Sequence, residues 1–241
     1  TKMWKKGAIT GSFNYINLKP YMQLIPQNYE WNQEPEAYGG SINFRQKTKG
    51  SGMFKIYASM DQSNLSQFAI TSDGSNAPSS TDIRNDNKFI NVNWHGSPSK
   101  KWFTTFGSSF TYNNDRYTQG DLILNQRLEG NHIKATAKYE LTEKTRFRMG
   151  VENFYTDFKN QYSQAQIEGD STVGYQENLT AAFIEAQIYT SPKFLINAGL
   201  RGEHSQYLNR NTLAPRISAA YKLDDNSSLS VAYGWFYQNP L

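Results

Sequence analysis

Residues 129–141 read Glu-Gly-Asn-His-Ile-Lys-Ala-Thr-Ala-Lys-Tyr-Glu-Leu, so that Ile133, Ala135, Ala137, Tyr139 and Leu141 alternate one for one with His132, Lys134, Thr136, Lys138 and Glu140. Period two over this length marks a strand with one apolar and one wet face. The pattern recurs in ten further segments, mostly of roughly ten to fifteen residues, whereas strands of soluble proteins usually run about five or six. Strands of that length suggest a membrane-spanning β-barrel, which needs about nine to eleven tilted residues to cross the apolar layer.

Working outward, eleven strands are predicted at about 4–17, 36–48, 52–61, 86–96, 101–113, 130–142, 145–158, 176–190, 193–207, 211–223 and 227–239. Their connections alternate in kind. Short ones stand at 48–51, 96–100, 142–144, 191–192 and 224–227, and most are rich in the Gly, Pro, Asp, Asn and Ser of turns. The others run through 18–35, 62–85, 114–129 and 159–175, with a shorter one at 208–210. Short turns at one end and long loops at the other is the asymmetry of an outer-membrane barrel, turns periplasmic and loops outside. The 62–85 stretch, with Gly74, Pro78 and the run Ser79-Ser80-Thr81, lacks alternation and is expected to be the most mobile exposed segment.

Composition narrows the classes. The chain has 241 residues, 37% hydrophobic and 15% aromatic, and no stretch approaches the roughly eighteen apolar residues of a helical span. Its mean hydropathy of -0.72 is no obstacle to a barrel, where every second residue faces water. Tyr (16) and Phe (14) far exceed Trp (5), as expected of rings at membrane interfaces, although a carbohydrate-binding sandwich would show the same bias. With no Cys, thiol nucleophiles and thiolate zinc sites are excluded. A net charge of +4, dispersed along the chain, does not argue for nucleic acid. No signal peptide opens the chain at Thr1, so an exported protein would here be mature, truncated or both.

Splitting the strands by parity separates two faces. One carries Ile9, Phe13, Ile56, Val92, Trp102, Phe106, Val151, Ile184, Ile196, Ile217 and Val231, and is assigned to lipid. The other carries Asn43, Arg45 and Lys47; Lys134, Lys138 and Glu140; Arg146, Arg148 and Glu152; Arg201 and Glu203; and Arg216 and Lys222. Mid-strand charges in a dry core would cost several kcal/mol each unless paired, so this face is expected to line a lumen, facing water or a polar partner. Aromatic residues in or beside the long connections, Tyr29, Trp31, Tyr117, Tyr162 and Tyr207, are candidates for stacking on a ligand or for anchoring at the interface.

Three stretches carry a family resemblance. Residues 35–60, PEAYGGSINFRQKTKGSGMFKIYASM, join a YGGS-type strand entry, an FRQK strand, a Gly-containing turn and a GMFK return strand. Residues 214–224, APRISAAYKLD, lead into 227–240, SSLSVAYGWFYQNP, and AGLRGE at 198–203 stands just before that hairpin. All three resemble the barrel of TonB-dependent outer-membrane receptors. The resemblance implies a 22-stranded barrel with an N-terminal plug in its lumen, located in the outer membrane of a Gram-negative bacterium. It further implies import of a scarce nutrient, a siderophore, cobalamin, glycan or peptide, with energy relayed by an inner-membrane TonB complex. The chain departs from the family in extent: no plug-like region, energy-coupling box or closing C-terminal aromatic strand is apparent. Residues 1–241 are therefore expected to be one partial barrel domain, whose partners are outer-membrane lipid, a plug domain, TonB through a missing N-terminal region, and the nutrient. An odd count of eleven strands agrees, since it leaves 238–241 at the start of an outer loop.

No enzyme chemistry emerges, and neither a cofactor nor a metal is expected. His95, His132 and His204 lie on different strands, and neither a GxSxG elbow nor a phosphate loop occurs. Asp73-Gly74-Ser75-Asn76 and Asp224-Asp225-Asn226 have calcium-type oxygens, but turn formation explains them unaided. Two other readings stay open on the residues alone: a complete twelve-stranded porin-like channel, and a soluble β-sheet binding or adhesin domain.

Overall fold

The computed structural model describes residues 1–25, 30–70, 78–164 and 171–237, with the backbone alone at 69, 70, 78 and 79. Among the described residues twelve strands form one antiparallel meander in sequence order. They are β1 (Lys2–Trp4), β2 (Gly7–Asn17), β3 (Trp31–Lys47), β4 (Met53–Ile70), β5 (Pro78–Ser99), β6 (Trp102–Gln119), β7 (Leu122–Thr142), β8 (Thr145–Gln164), β9 (Ser171–Ser191), β10 (Phe194–Ser205), β11 (Arg210–Lys222) and β12 (Ser228–Gly234). One short helix, α1 (Lys19–Leu24), follows β2.

Two expectations are corrected. The first predicted strand is in fact two, because Lys2–Trp4 fold back onto Gly7–Ile9 across Lys5-Lys6, which raises the count from eleven to twelve. The second correction concerns the long loops. Residues 114–129 form a continuous hairpin closed at Gly120-Asp121, where Gly120 takes a positive φ of 55° that a side chain would resist. Residues 62–70 and 78–85 pair with each other in regular register, so the expected mobile segment is largely strand. Gly74 and the Asp73–Asn76 motif lie outside the described residues. These extensions escape the alternation test because neither of their faces is uniformly apolar, while backbone pairing needs no apolar contrast.

The register joins the predicted parities into continuous faces. Trp102, Tyr139, Phe147, Ala186, Ala198, Ile217 and Tyr233 stand side by side across seven strands. Another row starts apolar, as Ile9, Phe44, Ile56 and Val92, and ends polar, as Asn153, Thr180, His204 and Asn211. The apolar band therefore crosses the register diagonally, which is what strand tilt in a barrel requires. Aromatic rings bound it with their polar tips turned away from its centre. Trp4 Nε1 donates to Gln46 Oε1 at 2.9 Å and Trp94 Nε1 to Thr48 Oγ1 at 3.1 Å at the short-turn end. At the opposite end Tyr15 Oη donates to Glu36 at 2.6 Å and Tyr38 Oη to Gln62. From Gln46 to Tyr38 the strand rises about 26 Å, or about 20 Å along the membrane normal once tilted, close to the ~25 Å band of outer-membrane barrels.

The sheet curls toward its charged side. A cavity of about 800 Å³ on that side is walled by Ser97, Phe103, Lys138, Arg148, Glu185, Asn197, Arg216 and Gly234, residues of all eight strands from β5 to β12. Flat, those strands would span about 34 Å, so one shared cavity requires a concave surface. Such a single curved sheet buries little. Among the described residues no large side chain is fully buried, while Phe106, Val151, Ile184, Ile217 and Val231 stand exposed on the convex face.

Candidate functional site

All thirteen predicted charged-face residues fall on the concave side of the register, and six of them, Lys134, Glu140, Arg146, Glu152, Arg201 and Glu203, are ion-paired with one another. The centre is Glu152 of β8, only 6% exposed. It receives Lys134 Nζ of β7 at 2.9 Å and Arg201 Nη1 of β10, while Arg201 Nε is held by Glu203 two residues along. To reach Glu152 from β10 the guanidinium must cross β9. It does so at Ala181, which stands in register between Glu152 and Glu203 and is 1% exposed; any longer side chain there would block the fork. His132 stacks on Phe154 with centroids 3.9 Å apart and places Nε2 3.6 Å from the same carboxylate.

Toward the short turns the charges spread out. Arg148 lies 3.6 Å from Glu185 and Arg146 3.3 Å from Glu140. Lys138 sits 5.8 Å from the Phe103 ring and Arg216 5.0 Å from that of Phe236. Lys222 Nζ reaches Asp225 at 2.7 Å, and Asp224 accepts from the Asn226 amide at 2.8 Å, so this Asp-Asp-Asn motif is built into a turn. Arg45 and Lys47, beside Asn43, have no ion pair among the described residues. Phe183 lies over Gly150 of the neighbouring strand, where a Cβ would meet its ring at 2.7 Å, and Arg148 rests 5.5 Å from the same ring.

The other half of the concave face was not anticipated. Above the row Tyr57, Asn91, Ser109 and His132 it carries Asn87 and Asn113 side by side, then Asn85, Asp115, Gln126 and Asn160 in one row. Asn87 Nδ2 donates to Asn113 Oδ1 at 2.8 Å, and Asn85 Nδ2 donates to Asp115 Oδ1. The signal is in the sequence: the parity of β4–β8 continues unchanged through the stretches expected to be loops. Beyond them Ile83, Tyr117, Leu124 and Tyr162 form the next row.

The predicted loop aromatics are thereby relocated. Trp31, Tyr117 and Tyr162 lie on strands, not loops, and the register gives all three to the concave face. Tyr117 Oη donates to Gln119 at 2.7 Å and Tyr162 Oη to Gln164 at 2.8 Å, a Tyr-x-Gln arrangement used twice. Tyr207 does lie in a turn, where its ring is 5.6 Å from Tyr175, itself 5.6 Å from Phe158. Glu177 fixes that turn by accepting from Ser205 Oγ at 2.6 Å and from the amides of Gln206 and Tyr207. Tyr29 lies outside the described residues. His95, His132 and His204 do not converge, and no group of three His, Cys, Asp or Glu among the described residues could share a metal ion.

The comparisons with known proteins fit this geometry. The family model of the TonB dependent receptor-like β-barrel matches residues 21–240. Among solved structures, the RagAB peptide importer in its open-open state superposes with a TM-score of 0.66 at 11% identity, covering 95% of this chain and 35% of that one. The ferric yersiniabactin uptake receptor FyuA from Yersinia pestis gives 0.59 at 16% identity, covering 79% and 36%. These likenesses show the fold, and the chain spans about a third of the length of the solved receptors it matches. No curated protein matches the sequence. With the family model running through nearly the whole chain, and with an all-β meander whose convex band is apolar, the chain belongs to the TonB-dependent receptor-like β-barrel family of outer-membrane proteins.

Proposed function

We propose that this chain forms part of the wall of an outer-membrane receptor that imports a scarce nutrient with energy relayed from an inner-membrane TonB complex. The observation that carries the reading is the segregation of the sheet, at membrane height, into a convex apolar band and a concave face whose central charges are held in place. A convex band of this height is at home against hydrocarbon, and a lumen supplies the polar surroundings that Arg45, Lys138, Arg146, Arg148 and Arg216 need. A plug domain of the same receptor is the natural partner for those cations, because a protein-filled lumen must satisfy buried charge. The short turns would then face the periplasm and Gly120-Asp121 the outside.

Sidedness and energy coupling are both measurable. In intact cells, Asp121→Cys should react with a membrane-impermeant maleimide and Glu143→Cys should not; the reverse pattern would mean that the orientation is inverted. Uptake of a panel of labelled ferric chelates, cobalamin, oligosaccharides and peptides should fall to the level of a receptor-deleted strain when a protonophore is added. Flux that ignores the proton gradient would indicate an open pore instead.

A further inference from the structure

Outside the apolar band, β4–β8 carry polar residues on both faces, yet the two faces hold different kinds of polarity. Every cation of these extensions, Arg84, Lys88, Arg116, Arg127 and Lys159, stands on the convex parity. The concave face of β2–β9 above the Tyr57–His132 row has no Lys or Arg among the described residues, and instead carries Asn85, Asn87, Asn113, Asp115, Gln126 and Asn160, interleaved with the apolar Ile83, Leu124, Leu128 and Phe158. Asp61 and Asp115 give this zone a negative formal charge. An anionic cargo such as a ferric carboxylate complex would meet repulsion here and find no cation to pair with.

From this we infer that the zone is the cargo site of the receptor proposed above and that it takes a neutral, hydroxyl-rich ligand, an oligosaccharide. An Asn amide has two donor hydrogens and two acceptor lone pairs, and the Asn87–Asn113 bond engages one side of each. The remaining groups match vicinal hydroxyls, which donate and accept in turn. Tyr117 and Tyr162 are each held by a glutamine, so their rings are fixed at little entropic cost and offer flat faces to the C–H surface of a sugar. Positive charge is absent, so nothing in the zone calls for an anionic ligand. This inference rests on the import reading but adds the cargo class to it.

The test is calorimetric titration of the intact receptor in detergent with short neutral malto-, cello- and xylo-oligosaccharides, with ferric citrate and a neutral peptide as the anionic and peptide probes. At least one oligosaccharide should bind. Asn87→Ala combined with Asn113→Ala, and separately Tyr117→Ala, should weaken it by about tenfold or more, while Arg116→Ala on the convex face changes affinity by about twofold or less. Silence toward every oligosaccharide overturns the assignment whatever else binds, as does an affinity unmoved by the concave substitutions. The import reading would survive either result as long as protonophore-sensitive uptake of any nutrient persists; loss of that uptake removes the foundation itself.

Discussion

Strands β5 and β6 are two different materials along one length. In the half nearer the short turn, Ile90, Val92, Trp94, Phe106 and Phe110 fill the convex face against Asn91, Asn93 and Ser109 on the other. Past the Lys88–Tyr112 pair the same two strands continue in unbroken register with Asp86, Arg84, Asn114 and Arg116 outside and Asn85, Asn87, Asn113 and Asp115 inside. The hydrogen-bond ladder is indifferent to this change, since each residue contributes its own N–H and C=O whatever its side chain. What differs is the solvent of one face. Hydrocarbon gives way to water, and the boundary is drawn by Tyr112, flanked by Lys88 at 5.1 Å and Arg127 at 5.8 Å from its ring.

That contrast can be broken most violently at the centre of the charged half. Replacing Glu152 by Ala in the intact receptor strands Lys134 and Arg201 without their carboxylate, and the expected loss is about 3 to 5 kcal/mol in a reversible unfolding titration. A loss within experimental error would mean the two cations find other partners readily. The parity itself is tested by arginine substitution. Ile196→Arg or Ala186→Arg should cost about 2 to 4 kcal/mol near the bilayer midplane, whereas Asn197→Arg or Gln187→Arg, which open into the concave cavity, should cost far less. Equal costs at both parities would refute the assignment of faces.

Smaller effects sharpen the picture. Gly150→Val puts a side chain where the Phe183 ring and the Ala135 carbonyl already stand, at 2.7 and 2.8 Å from a Cβ, and should destabilise by about 1 to 3 kcal/mol. Phe183→Ala in the same background should recover part of that loss, which a purely backbone effect would not allow. Least of all, Arg84 and Arg116 face each other directly on the convex side with no ion-pair partner among the described residues. Arg116→Thr should therefore stabilise the hairpin by a few tenths of a kcal/mol at low salt, and the gain should shrink as salt is added.

Alternation made the membrane part legible because burial against lipid imposes a different residue type on every second position. Lys134, Glu152 and Glu203 were assigned to one face on parity alone, and the register puts them in a single row with Ala181. The same test fails where neither face is uniformly apolar, which is why Tyr117 and Tyr162 are placed in long connections by sequence, while Asn87 and Asn113 fall inside predicted strands but carry no charge that would mark their face. The fold class, the two faces and the family motifs were thus determined by sequence, through a period that water and hydrocarbon write directly into residue choice. Only tertiary structure decided that Arg201 reaches Glu152 across Ala181, that the strands continue far beyond the apolar band, and that amides and tyrosines gather on one concave surface. Those outcomes depend on strand register and on sheet curvature, which arise from pairing between segments and leave no period in any one of them.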